Sequence, residues 1–276
     1  MKLISWNIQW CRGIDGRVDP ARIASVARRL ADPDICCFQE VAVNFPALAG
    51  SAGEDQAAIL QALFPGFSAH FAWAVDVPDG SGGRRRFGNL ILSRLPVQRV
   101  LRHSLPWPPE PGTPSMPRVA LEAVVEAPWG LVSVATTHLE YYSARQRGAQ
   151  VDHLKDLLAE AGAHCATEPA PQYKSGPFAP FARPASSILT GDFNMRPDDP
   201  LIARLMESYL DAWRIAHPNV PHPPSFFLHD KTQGTPPYCC DFVFVTGNLA
   251  PRIASVRVDA QTQASDHQPV IVEFRP

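Results

Sequence analysis

The sequence predicts a mixed α/β fold. Short apolar runs rich in β-branched and aromatic residues recur along the chain, amphipathic helical patterns separate some of them, and others follow one another across hairpin-length turns. In chain order the strand candidates are Leu3–Ile8, Ile35–Phe38, Ala69–Val75, Leu90–Ser93, Val119–Glu126, Leu131–Thr137, Ser187–Thr190, Phe242–Thr246 and Val270–Phe274. Several are bounded by Gly, Pro or Asp, which favour turns.

Four helices are expected. Asp19 can cap a helix whose first turn holds Pro20, and Ile23, Val26, Ala27 and Leu30 then share one face. A second helix covers Gln56–Phe64. A third begins near Ser143 and buries Val151, Leu154, Leu157 and Leu158, and a fourth follows Pro200. The 29 prolines concentrate in stretches 105–117, 168–184 and 217–225. Loops this long in a compact domain often form lids or substrate walls. Strand patterns continue on both sides of each, so residues 1–276 are expected to form one domain. No internal repeat is visible.

Composition narrows the class. With 45% hydrophobic and 19% charged residues the chain is globular rather than disordered. A formal charge of −2 argues against capture of nucleic acid or anionic membrane by bulk charge, although the basic run at 83–86 leaves a local patch open. Met1-Lys2 runs directly into LISWNI, so no secretory leader is expected, and no apolar run approaches the length of a membrane span. The six cysteines show no CxxC spacing, and the adjacent pairs Cys36-Cys37 and Cys239-Cys240 would point to opposite faces of a strand. They are expected to be reduced and mostly buried, in a cytoplasmic, monomeric protein.

The stretch ILTGDFNMRP at 188–197 raises the functional question. Gly, Asp and Asn are ordinary turn residues, with Gly191 supplying a bend. In an extended backbone, however, Asp192 and Asn194 face one space while Phe193 turns into packing. Other apolar runs end the same way. LISWN finishes at Asn7, DICCFQE at Glu40 and LVSVATTHL at His138; Asp241 opens DFVFVT, and Asp266 and His267 precede the last strand. Each alone has an innocent explanation as a strand-end amide, packed histidine or turn residue. Together they form a set that is costly beside apolar strands unless the groups converge on a shared partner. Carboxylate and carboxamide oxygens without thiolates suit a hard cation such as Mg²⁺ or Mn²⁺. Metal, acid, histidine and amide donors together describe hydrolysis of a phosphate ester.

The segments SWNIQW, FQEV, FGNLILSR, TTHLEYYSARQRGAQ, LTGDFNMRP, CDFVFV and SDHQPV, in this order, resemble the endonuclease/exonuclease/phosphatase superfamily. That superfamily includes DNase I-like nucleases, abasic-site endonucleases, neutral sphingomyelinases, inositol-polyphosphate 5-phosphatases and tyrosyl-DNA phosphodiesterases. The resemblance implies a four-layered, DNase I-like α/β sandwich of two packed sheets flanked by helices, with Mg²⁺ or Mn²⁺ as cofactor. It implies that Glu40, with Asn7 and Asp266, holds the metal, that Asp192 positions or activates water, and that Asn194 holds a phosphate oxygen. His267, oriented by Asp241, acts as general base or stabilises the developing phosphorane, and His138 donates to the phosphate or leaving group. Asn89, Arg85 and Tyr141 are weaker substrate-binding candidates, with Tyr142 and Trp107 either stacking on a base or packing.

Gln9, where abasic endonucleases often carry Asp or Asn, and His138 in place of their Tyr weaken that reading. No GxSxG elbow, Walker A loop or HExxH is present. A non-catalytic binding module would be expected to lack one of the central residues, yet the set is complete. Nucleic acid, a lipid head group, a sugar phosphate and a small diester stay open as substrates.

Overall fold

The computed structural model describes residues 1–168, 175–181, 183–230 and 236–276. Its strands are β1 (Lys2–Asn7), β2 (Ile35–Val43), β3 (Ser68–Pro78), β4 (Arg84–Ser93), β5 (Val97–Ser104), β6 (Val119–Ala127), β7 (Gly130–His138), β8 (Ser187–Asp192), β9 (Leu210–Asp211), β10 (Asp241–Val245), β11 (Ile253–Val258) and β12 (Val270–Phe274). Its α-helices are α1 (Pro20–Ala31), α2 (Gln56–Leu63), α3 (Ala144–Ala166), α4 (Pro200–Leu205) and α5 (Ala212–Ala216). Two six-stranded sheets form, in the orders β11-β12-β1-β2-β4-β3 and β5-β6-β7-β8-β10-β9.

Side-chain alternation builds four layers. Leu3, Ile35 and Cys37 face inward against Leu121, Val134, Ile188 and Val243 of the other sheet. Their neighbours Ile4, Trp6, Cys36 and Phe38 face outward and pack with Ile23, Val26 and Ala27 of α1 and Leu60 of α2. On the far side, Leu189, Phe242 and Phe244 pack with Val151 and Leu154 of α3 and Ile202 of α4. The adjacent cysteines Cys36 and Cys37 thus enter different layers, as period-2 geometry requires. All six cysteines are free, five of them buried and Cys165 exposed.

Capping residues start the helices as expected. Asp19, Asp55, Ser143 and Asp199 accept from the amides of Arg22, Ala58, Gln146 and Leu201 respectively. Val151 and Leu154 are buried on α3, whereas Leu157 and Leu158 are only partly buried. The strands β5, β9 and β11 were not legible in the sequence, and all three are sheet edges. VQRVLRHS in β5 buries none of its residues fully. An edge strand with one wet face carries too few apolar residues to stand out. The stretch 168–184 lies partly outside the described residues.

Each sheet contains one parallel pair at its centre, β1–β2 connected through α1 and β7–β8 connected through α3. The other strand pairs are antiparallel. The carboxyl end of β8 lies beside the start of β10, where Asp241 stands opposite Asp192, and the bond from Asn7 to Asp192 brings the end of β1 to the same end of the sandwich. No helix among the described residues is long and apolar enough to cross a membrane.

Gly191 does not bend the chain as the sequence suggested. It sits inside β8, paired with Thr137 on one side and Phe242 on the other. A Cβ there would lie 2.0 Å from the Thr137 carbonyl oxygen, at φ +147°. The glycine therefore lets β7 and β8 approach at the level of the site. Gly191→Ala is expected to lower stability by about 3 kcal/mol or more, read as a shift in the urea midpoint.

Candidate active site

Five strand ends or strand starts and one bulge within a strand supply one cleft of about 320 Å³. Glu40, His138, Asp192, Asn194, Asp266 and His267 line it, with Asn7 and Asp241 held behind the lining. β1 ends on Asn7, β7 on His138 and β8 on Asp192. Glu40 is reached differently. The β2–β4 register slips between Phe38 and Val41, and Glu40 takes a left-handed φ of 59°. This bulge turns the carboxylate out of the ladder and into the cleft.

Asn7 is the hub. Its side-chain nitrogen donates to Glu40 Oε1 at 3.0 Å and to Asp192 Oδ2 at 3.0 Å, and lies 3.4 Å from His267 Nε2. Its oxygen accepts from the Gln9 amide at 3.0 Å. Gln9 in turn donates through its side chain to Asp266 Oδ2 at 2.7 Å. The sequence placed Asn7 beside the metal; the structure shows its nitrogen, not its oxygen, turned to the carboxylates.

His267 is fixed on three sides. Nδ1 lies 2.9 Å from Asp241 Oδ2, its carbonyl accepts from Trp6 Nε1 at 2.9 Å, and its ring stacks on Phe226 at 4.3 Å. Nε2 is left facing Asp192 Oδ2 at 3.6 Å. Burial opposes a charge on this imidazole, but the Asp241 and Asp192 carboxylates outweigh it and push its pKa up to about 10. His138 is the opposite case. Burial, with Arg118 adding to it, pushes its pKa down to about 3. Its ring nitrogens stand 3.5 Å from Asp192 and 3.8 Å from Glu40, too far for strong hydrogen bonds, so this neutral ring keeps bonding capacity for a ligand. Asn194 takes a left-handed φ of 52°; its amide donates to Asp192 Oδ1 and its side chain to the Leu139 carbonyl, both at 2.9 Å. Its stretch is a turn and a site wall at once.

Glu40 is pushed up to about 7 by burial and by the charge of Asp266, and burial raises Asp266 too. Neither carboxylate has a Lys or Arg partner among the described residues. An oxygen-rich pair starved of positive charge fits a hard divalent cation. Asp192, Cys240, Asp241 and His267 also bring ligand atoms within 4.8 Å of one another. That group is satisfied internally by the His267–Asp241 bond, and burial holds the Cys240 thiol protonated.

The structure adds Arg118 and Ser225, which the motifs did not supply. Arg118 lines the cleft, is buried, and bonds Glu140 through Nε at 3.3 Å, while its buried Nη1 has no protein partner. Ser225 donates to Asp241 Oδ2 at 2.7 Å and accepts from the amides of Cys240 and Asp241, each at 3.1 Å. Gln9, Trp10 and Cys11 are three consecutive left-handed residues, with φ of 45°, 41° and 62°. Such backbone costs about 1–2 kcal/mol per residue. Bonds from Gln56 Nε2 to the Trp10 carbonyl at 2.7 Å and from Trp10 Nε1 to the Ala49 carbonyl at 2.9 Å hold it.

Two expected substrate contacts stand elsewhere. Asn89 is buried on β4 and donates to the Val119 carbonyl at 2.9 Å, tying the sheets together. Arg85 does not line the cleft, and its Nη2 donates to the Asp79 carbonyl at 3.2 Å. Tyr141 and Tyr142 do line the cleft, packed edge to face at 4.8 Å, while Trp107 bonds Ser115 away from it.

The family model for the Endonuclease/Exonuclease/phosphatase family matches residues 4–267. No curated protein matches the sequence. Among solved structures, the endonuclease/exonuclease/phosphatase from Beutenbergia cavernae is 25% identical with a TM-score of 0.65, covering 100% of this chain and 71% of its own. Truncated TDP2 from Caenorhabditis elegans is 20% identical with a TM-score of 0.66, covering 100% and 97%. The 3' phosphatase NExo from Neisseria, bound to a product DNA hairpin, is 22% identical with a TM-score of 0.64, covering 100% of both chains.

Glu40→Gln separates cation binding from folding. A folded-state pKa above the unfolded one means that, without a cation, Glu40 lowers stability as pH rises from about 4.5 to about 7, with the penalty complete above that. At pH 8 in chelator the variant is expected to melt roughly 2–5 °C above the wild type, and Mg²⁺ to raise the melting temperature of the wild type only. Ser225→Ala leaves two buried amides without their acceptor, so it is expected to cost about 2–4 kcal/mol in urea unfolding.

Proposed function

The chain belongs to the endonuclease/exonuclease/phosphatase family, and from that premise we propose that it hydrolyses a phosphate ester with the help of a divalent cation. The observation that carries this reading is the convergence of Glu40, His138, Asp192, Asp266 and His267 on one cleft floor. Glu40 and Asp266 would hold Mg²⁺ or Mn²⁺, which when bound supplies positive charge against the phosphoryl oxygens.

The protein's own groups do the rest. Asp192 Oδ2 accepts a proton from the attacking water as its oxygen forms the new bond to phosphorus, and the bond from phosphorus to the leaving oxygen breaks. Asn7 donates to that same Oδ2 and so aims the carboxylate. His267, held through Nδ1 by Asp241, presents Nε2–H to a phosphoryl oxygen and stabilises the added negative charge. His138 donates a hydrogen bond to the phosphoryl group, and Arg118, which lines the cleft, offers a guanidinium N–H to another oxygen. Asn194 holds the wall beside Asp192 and supplies its remaining amide hydrogen to the substrate.

Bis-p-nitrophenyl phosphate with Mg²⁺ or Mn²⁺ is the direct assay. His267→Ala is expected to lower kcat by about 10²–10⁴-fold. Arg118→Lys, which keeps a charge beside Glu140 but loses the fork, is expected to lower it by about 10²-fold. Unchanged rates in both would remove these assignments. A wild type inert with every cation and ester would favour a binding module instead.

A further inference from the structure

The walls above the catalytic floor are apolar and aromatic rather than basic. Trp10, Phe45 and Phe87 line the cleft from the first sheet's side, and Tyr141, Tyr142 and Phe226 line it too. Phe45 and Phe87 meet edge to face at 6.4 Å, which fixes both rings. Trp10 is fixed by its indole bond to Ala49 and by the left-handed backbone that carries it. Among the described residues lining the cleft, Arg118 is the one Lys or Arg, and it stands at the floor.

The basic run ahead of Asn89 offers no second phosphate contact. Arg84 pairs with Asp76 at 2.8 Å, Arg85 bonds the Asp79 carbonyl, and Arg86 lies 3.5 Å from Asp76 and over the Trp73 ring at 4.5 Å. A protein that tracks a duplex engages on the order of 6–10 phosphates with Lys and Arg. This cleft has cationic capacity for one phosphoryl group and, at about 320 Å³, sits at the small end of ligand pockets.

Building on the phosphoesterase reading above, we propose that the cleft is a ring-and-phosphoryl site. Its substrate carries a planar aromatic group, seated against Trp10, Phe45 and Phe87, next to a single phosphoryl group on the floor. The substrate class is then an aryl ester or the terminal nucleotide of a chain, not an internal phosphate of a duplex. A stacked ring is sequence-tolerant and contributes without charge.

Calorimetry in Mg²⁺ tests this with inorganic phosphate, ribose 5-phosphate, phenyl phosphate and thymidine 5'-monophosphate. The ring-bearing ligands are expected to bind about tenfold or more tighter than ribose 5-phosphate. Trp10→Ala should collapse that ratio to near one, and Trp10→Phe should restore most of it. Preference for both ring ligands assigns aryl esters generally, and preference for the nucleotide alone assigns a nucleotide end. A 20-base-pair duplex should bind with a salt slope near −1. Equal binding of ribose 5-phosphate and the ring ligands, or a duplex slope of about −5 or steeper, would overturn the proposal. Hydrolysis of bis-p-nitrophenyl phosphate is read separately. Turnover without a ring preference removes this subsite alone, whereas ring preference without turnover under any cation removes the phosphoesterase reading alone.

Discussion

One carboxamide holds the two halves of the site together. Asn7 ends β1 in the first sheet, and its two N–H groups donate to Glu40 from the same sheet and Asp192 from the other. Without such a bridge, carboxylates at the rim of one buried cleft would repel each other and draw in water. Burial, joined at Glu40 by the charge of Asp266, raises the proton affinity of both Glu40 and Asp266. The site is held short of positive charge, a condition that costs stability and favours a cation. His267, charged between Asp241 and Asp192, balances the other side of the floor.

The fold makes that meeting possible through a repeated pattern of pairing. Each sheet runs antiparallel, antiparallel, parallel, antiparallel, antiparallel across its six strands, with a helix connecting the parallel pair. Parallel strands run toward the same edge, so Asn7 at the end of β1 meets Glu40 at the bulge of β2, and His138 meets Asp192 at the ends of β7 and β8. Packing the sheets face to face brings the two edges together. Gly191 sets how closely the second pair approaches. Ligand sites at the carboxyl ends of parallel strands are a general outcome of this geometry.

The sequence made the central residues legible because apolar strands advertise whatever polar group ends them. Asp192 and Asn194 were visible for that reason, with Phe193 buried between them as period 2 demands. The same rule reached Asn7, His138 and Asp241, whereas the strand expected to finish at Glu40 runs on to Val43 and bulges at Glu40 instead. The rule could also have reached Arg118, which stands directly before the buried run of β6. Ser225 was illegible because it lies in a proline-rich stretch with no period, and only tertiary contact brings it to Asp241. Trp10 was quoted in a motif, but its placement depends on left-handed backbone at Gln9, Trp10 and Cys11, none of which is Gly or Asn. Arg85 shows the converse: a basic run looked like a phosphate contact and is spent on local partners. The repeated pairing pattern left no trace in the sequence because register and crossover conserve geometry, not residue identity.

We propose that Glu40 and Asp266, both carried by the first sheet, hold a hard cation opposite Asp192 of the second sheet. Anomalous scattering from crystals soaked in Mn²⁺ tests it most directly. A peak bonded by the Glu40 and Asp266 carboxylates, on the cleft side of Asn7, is expected. A peak held instead by Asp192, Cys240, Asp241 and His267, or no peak at the cleft floor at saturating Mn²⁺, would contradict it.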